Sequence, residues 1–279
     1  MNKIREKISY IIPERIKHYY RLFKNPRYKT QFKLREEINR LMAYPRYEIG
    51  TSTLLNHTVH FIDASSLVFI YDEIFNKEIY KFHTDSPYPY IIDAGANIGL
   101  SVIYFKQLFP QAEIVAFEPD EKVFQTLEYN VRSFDLERVT LFQKALWNEE
   151  KVLEFVLEGA DAGRIAFKQD TGQIVRVDTM RLRPFLDRRV DFLKIDIEGA
   201  ETSVLQDCRD LLKNVEKLFV EYHSFAEQPQ DLHTLLDILH SAGFRYNIQH
   251  IGVFSAHPFI RIDQYLQMDL QLNIFAYRL

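Results

Sequence analysis

Carboxylates and glycines cluster in this chain where strand patterns give way to helical ones. The run Asp93-Ala94-Gly95-Ala96-Asn97-Ile98-Gly99 leaves the apolar Tyr90-Ile91-Ile92 and leads into a helical pattern at Ser101. Glycines at such a turn let the backbone bend tightly and approach a ligand, because a Cβ would collide. The spacing is glycine, three residues, glycine, led by an acid. It differs from the G-x-G-x-x-G fingerprint, which needs a third glycine and sets pyrophosphate on a helix N-terminus. An acid at the strand end suits a cationic ligand instead. Glu118, 19 residues after Gly99 in Phe117-Glu118-Pro119-Asp120, ends the next strand. It could accept both hydroxyls of a ribose, as acids do in nucleotide-binding α/β sheets. Pro119 fixes the exit of the chain from that strand. A third run, from Asp191 to Glu201, places Asp196, Glu198 and Glu201 just past the buried pattern Phe192-Leu193-Lys194-Ile195. Unpaired buried charge is costly, so these acids must serve a ligand or be neutralised. Glu201 could equally cap the helix that follows.

These runs require a scaffold of alternating strands and helices. Strand patterns occur at residues 90–92, 112–117, 139–142, 190–195 and 218–221, and helical patterns at 101–109, 120–134, 202–212 and 232–242. Asp120 is placed as an N-cap, and Gly243 closes the last helix. Residues 244–248 and 272–277 supply final strands. Such alternation implies a parallel sheet with crossover helices, whose strand carboxyl ends face the ligand crevice. Residues 151–157 and 173–177 read as extra strands around a loop at 158–172. Ahead of the sheet, residues 58–62 and 67–71 read as strands and 71–82 as a helix. The chain thus divides into an extension at 1–46, a β/α cap at 47–85 and a main domain at 86–279. The cap and the 158–172 loop are placed to shape an acceptor pocket. Tyr71, Tyr80 and Tyr88 could stack on a sugar there, although core packing is the commoner use of such rings.

Composition narrows the partners. The 279 residues are 47 % hydrophobic and 27 % charged with a net charge of −4, an ordinary globular balance. Residues 1–40 hold twelve Lys or Arg against four Glu, so the rest of the chain is acidic and poorly suited to a phosphate-rich nucleic acid. Ile4, Ile8, Ile11, Ile12 and Ile16 interleave with that basic charge at partly helical spacing. Such a helix could lie on an anionic membrane, contact a second copy of the chain or pack on its own domain. No run approaches the ~18 apolar residues of a membrane span, and the first ten residues do not read as a secretory signal. Cys208, the one cysteine, reads as a buried apolar side chain, and a cytoplasmic, reducing setting is expected.

Taken together, the Asp93–Gly99 run, Phe117-Glu118-Pro119, and above all Leu193-Lys194-Ile195-Asp196-Ile197-Glu198-Gly199-Ala200-Glu201 resemble the FkbM family of methyltransferases that use S-adenosylmethionine (SAM). Ala145-Leu146 and Glu221-Tyr222-His223 are also similar to that family, and the resemblance spans roughly residues 65–250. It implies a class I methyltransferase fold, a Rossmann-like α/β sheet of seven strands with the last antiparallel. It further implies an enzyme that methylates a hydroxyl on a sugar, glycan or secondary metabolite. By the same resemblance, Asp93, Gly95 and Gly99 hold the methionine part, with Ala96 and Asn97 in the same turn. Glu118, beside Pro119, holds the ribose. Lys144, Ala145 and Leu146 lie near adenine, with Gln143 as a possible polar partner.

An alcohol gives up its proton poorly near neutrality, so transfer to oxygen calls for a base or a polarising cation. His223, just past a strand end, is the expected general base, with Asp196 and Glu198 beside it. Asp196, Glu221 and His223 could alternatively hold Mg²⁺ or Mn²⁺, which favour oxygen ligands. Two other readings stay open: an NAD-binding oxidoreductase of the Rossmann class, disfavoured by the missing third glycine, and a non-catalytic interaction module on a SAM fold.

Overall fold

The computed structural model describes residues 26–157, 163–165 and 173–279. The basic stretch up to residue 25, and with it the expected membrane or subunit contact, lies outside the described residues. In chain order the elements begin with α1 (Pro26–Met42), the hairpin β1 (Gly50–Ser52) and β2 (Val59–Phe61), α2 (Ala64–Tyr71) and a π-helical turn at Asp72–Asn76. The alternating part follows: β3 (Tyr90–Ala94), α3 (Leu100–Leu108), β4 (Glu113–Phe117), α4 (Glu121–Ser133) and β5 (Val139–Phe142). Next come β6 (Ala145–Leu146), β7 (Val152–Leu157), β8 (Gly163–Ile165) and β9 (Gln173–Met180). The chain ends with β10 (Phe192–Ile195), α5 (Glu201–Asp207), β11 (Lys217–Phe225), α6 (Leu232–Ser241), β12 (Arg245–Ile251) and β13 (Met268–Tyr277).

Seven strands form one sheet in the order β12-β13-β11-β10-β3-β4-β5. β3, β4, β5, β10 and β11 pair in parallel, and β13 runs antiparallel to both β11 and β12. This is the class I methyltransferase arrangement, with the last strand reversed. β3 is buried along its whole length, as a central parallel strand with both faces covered must be. Chain order reverses at β3, which pairs with β4 on one side and with β10 on the other, in register Ala94↔Ile195. The strand carboxyl ends at that switch point form the natural ligand crevice. A second sheet, β6-β9-β7-β8, was not expected as a separate unit. Its strand β8 lies within the segment expected to be loop.

Two expectations for the cap fail. Residues 67–71 form part of α2 and not a strand. A short apolar run does not distinguish the two by itself, and Asp63 decides it locally by accepting from the backbone N–H and the hydroxyl of Ser66. The helix expected over 71–82 stops at the π turn. Glu78 adopts φ 52°, and Tyr80 and Phe82 enter an aromatic core with Phe105 and Phe192. The helix expected over 202–212 ends at Asp207, whose carbonyl accepts from Arg183. Tyr71 and Cys208 are buried, as core packing requires, while Tyr88 is exposed and lies under Arg138.

The cap and the main domain share one core. Leu41, Val59, Phe61 and Leu67 belong to the same apolar cluster as Ile91, Val102 and Phe105. Fully buried Asn130, on α4, completes the junction. Its Oδ1 accepts from His60 N–H at 2.8 Å, and its Nδ2 donates to His60 O at 3.0 Å and Ile98 O at 2.8 Å. Replacing Asn130 with Ala removes three hydrogen bonds, one to a buried carbonyl and two to part-buried backbone groups, and a buried group left without a partner costs ~1–3 kcal/mol. Asn130→Ala is therefore expected to lose several kcal/mol in urea unfolding, and a loss below about 1 kcal/mol would show that the junction carries little.

Candidate active site

The Asp93–Gly99 run turns sharply at the end of β3. Gly95, Asn97 and Gly99 all take positive φ, at 85°, 48° and 91°. A Cβ on Gly95 would lie 1.8 Å from the carbonyl oxygen of Asp196, so this position admits only glycine. Gly95 and Ala96 donate their backbone N–H groups to Phe117 O at 3.1 and 2.9 Å. Buried Glu118 then locks the turn to β4: its Oε2 accepts from Asn97 N–H at 3.0 Å and its Oε1 from Asp120 N–H at 2.9 Å. Asp120 caps α4 by accepting from Lys122 and Val123. Burial pushes the Glu118 carboxyl up to about 7, against those two backbone donors.

At the end of β10, the Lys194 ammonium is almost fully buried. It donates to Gly95 O at 2.7 Å and pairs with Asp93 at 3.5 Å and Asp196 at 3.2 Å. Burial disfavours its charge, but Asp196 and Asp93 outweigh that and raise its proton affinity. Asp93 also accepts from the Ser101 hydroxyl, while its other oxygen, Oδ1, is buried and accepts no hydrogen bond.

Beside them, His223 on β11 meets three carboxylates. Nδ1 lies 3.0 Å from Glu201, and Nε2 lies 3.5 Å from Glu198 and 3.4 Å from Glu221. Glu201, also buried, accepts in addition from the backbone N–H of Ile197 and Gly199. Glu198 sits at φ 53°, a strained position of the kind that gathers at functional sites. Burial opposes a charged His223, yet Glu198 and Glu201 hold its proton affinity well above the ordinary imidazole value. Burial lifts the Glu198 carboxyl to about 8 despite the nearby imidazole, and raises Glu221 as well.

These groups surround a cavity of about 790 Å³, within the ~300–1,000 Å³ of small-molecule sites. Gly95, Ala96, Asn97, Glu118, Pro119, Ala145, Leu146, Asp196, Glu198 and Glu221 all line it. Three expected site residues do not. Asp93 stands behind the wall, where it pairs with Lys194 and Ser101. Gly99 faces α4: a Cβ there would lie 2.7 Å from Leu127, so its need for glycine is one of conformation and packing. His223 lies behind Glu198 and Glu221. Three contributors escaped the sequence reading. Lys194 was legible as a lone cation in an apolar strand. Glu201 was read either as one of the strand-end acids or as a helix cap, without its tie to His223. Glu73, in the π turn, lines the cavity with its carboxyl raised to about 7 by burial and by Glu221, and its cap segment carries no recognisable motif.

Residues 93–246 match the methyltransferase FkbM domain. The chain belongs to the FkbM methyltransferases. S-adenosylmethionine is the methyl donor that this family membership supports, and an acid-rich cavity beside a glycine turn fits a ligand of net positive charge. Similar proteins include Methyltransferase 1 of Beauveria bassiana, 31 % identical over 65 % of this chain and 82 % of its own. Methyltransferase sdnD of Sordaria araneosa is 32 % identical over 53 % of this chain and 72 % of its own. The 2-O-methyltransferase NoeI of Sinorhizobium fredii is 24 % identical over 56 % of this chain and 73 % of its own. Among the described residues, no helix of the methyltransferase is long and apolar enough to cross a membrane.

The histidine cluster yields a direct check. Removing the Glu201 charge with Glu201→Gln is expected to lower the His223 titration midpoint by at least about one unit, the usual effect of a charge within 4–6 Å. NMR of the imidazole carbon-bound protons reads it, and an unmoved midpoint would deny Glu201 its hold on His223.

Proposed function

We propose that the protein methylates a hydroxyl oxygen of a small-molecule or glycan acceptor, with Glu198 taking the proton. The observation that supports this most is the placement of a carboxyl of raised proton affinity, backed by His223, on the cavity wall next to the glycine turn. In the bound complex SAM supplies an electrophilic methyl on a sulfonium: the acceptor oxygen forms a bond to that carbon as the carbon–sulfur bond breaks, and sulfur keeps the electron pair. Glu118 would hold the ribose hydroxyls with the lone pairs left by its two backbone donors. Gly95, Ala96 and Asn97 would border the methionine part with their backbone, and Ala145 and Leu146 the adenine. Lys194 would orient Asp196 toward the donor's ammonium. His223 is a positioning residue in this reading, because it touches Glu198 and Glu221 and does not reach the cavity. The general base expected of it passes to the carboxyl in front of it. NoeI, named a 2-O-methyltransferase, is consistent with oxygen as the acceptor atom.

A second reading has a specific observation behind it. Asp196, Glu221 and His223 each offer a ligand atom, all within 4.8 Å of one another. With Nδ1–H directed at Glu201, the Nε2 lone pair would be free for Mg²⁺ or Mn²⁺, which would polarise the hydroxyl. Lys194 already supplies positive charge at Asp196, which favours the metal-free reading.

Methyl transfer to hydroxylated sugars and metabolites is the deciding assay. A base that must be ionised, with its carboxyl near 8, makes the rate fall as pH drops through about 8. Glu201→Gln should move that limb to lower pH, since it removes a charge that holds protons on Glu198 and His223. Glu198→Gln should cost about 10²–10⁴ in kcat while S-adenosylhomocysteine still binds. Unchanged turnover in Glu198→Gln would remove it as the base. Dialysis against EDTA should leave the rate intact, and loss restored by Mg²⁺ or Mn²⁺ would favour the metal.

A further inference from the structure

The acid-rich floor of the cavity opens through a mouth of opposite character. Its lining includes Tyr47, Ile49 and Phe69 of the cap, and Val253, Tyr265 and Leu266 from the segment joining β12 to β13. All six are exposed, Ile49 at 69 % and Phe69 at 59 %. Contiguous exposed apolar surface of this kind marks a site that something covers. The backbone holds two of the six in place against its own preference: Tyr47 has φ 61° and Leu266 φ 49°. Tyr47 is fixed by its N–H donating to Asp63 Oδ1 at 2.8 Å, and Leu266 by the reciprocal backbone bonds between Tyr265 and Met268. Non-glycine residues adopt such φ values at a cost and persist there when their surroundings over-determine them, often at ligand clamps.

Resting on the methyl-transfer reading above, we propose that the acceptor carries its hydroxyl on a hydrocarbon body. That body would lie between Phe69 and Leu266 while the hydroxyl reaches Glu198. A free sugar would leave the apolar wall in water. The acceptor itself, and not a second copy or a lipid bilayer, is the occupant that fits, because these apolar residues line the same cavity as Glu198.

The test uses n-alkyl β-D-glucosides from methyl to octyl, below their micelle-forming concentrations. They are titrated by calorimetry into the full chain loaded with S-adenosylhomocysteine. The dissociation constant is expected to fall about two- to fourfold per added methylene once the chain reaches the mouth. The double variant Phe69→Ser with Leu266→Ser should flatten the series while S-adenosylhomocysteine affinity stays within about twofold, as for other exposed positions. A flat series, or no measurable octyl glucoside binding, overturns the proposal. If it comes with dimers in sedimentation, or with partition onto phosphatidylglycerol vesicles, the mouth belongs to a second copy or a lipid surface. Loss of S-adenosylhomocysteine binding by the unmodified chain would instead overturn the donor site beneath both readings.

Discussion

One buried ammonium holds the rim of the sheet together. Lys194 Nζ reaches Gly95 O across the β3–β10 pair and stands between Asp93 and Asp196. Three things meet there: the turn that only glycine can make, the central strand's terminal carboxylate, and the first acid past β10. Breaking a buried pair by removing one partner typically costs 3–5 kcal/mol, because the other charge is left uncompensated. The acids at the strand ends can be buried because this cation is, and the glycine turn keeps its position over Asp196 because the same cation bonds its carbonyl. Glu118 secures the turn from the opposite side through Asn97. The two ligand-facing motifs are thus one mechanical unit before any ligand arrives.

What Lys194 leaves over defines the chemistry. Glu198, Glu221 and Glu201 converge on a single imidazole. Carboxylates this close cannot all be ionised beside a neutral histidine without large repulsion, and Glu198, Glu221 and His223 keep their protons to higher pH than usual. An environment that traps protons is also one that welcomes a cation, which couples donor binding to the state of the base. A sulfonium entering the cavity lowers the proton affinity of nearby carboxyls. Under the proposed transfer to a hydroxyl, the donor's arrival would favour the ionised form of the base.

The sheet was legible because its signals are local and redundant. Each parallel strand is an apolar run, all but β5 are followed by a helical pattern, and Asp120 and Gly243 mark helix ends through their own backbone chemistry. The count of seven strands and the reversed last strand came from the resemblance, carried mainly by the Leu193–Glu201 run. The cap was less legible because its decisive interactions are long-range. Nothing in Leu67-Val68-Phe69-Ile70-Tyr71 distinguishes helix from strand until Asp63 binds Ser66 and Phe61 closes the core beneath it. Within the site, the sequence marked residues at strand ends correctly but could not rank them by depth. Asp93, Gly99 and His223 sit one layer behind the wall, and the difference between touching a ligand and holding what touches it is a matter of a few ångströms.

Glu73 shows why the cap belongs to the chemistry as well as to the shape of the pocket. A π turn carries an extra residue per turn and often marks functional sites. Here it follows α2 and places a carboxyl on the cavity wall, where burial first, and then Glu221 and Asp196, hold its proton to higher pH. The same few residues pack Phe75 on Tyr104 at 5.4 Å and thereby join the core beneath α3. The helix that carries Phe69 at the mouth leads directly into the turn that carries Glu73 at the floor. One short segment thus joins the exposed rim to the charged wall of the cavity, and its position is set by the shared core.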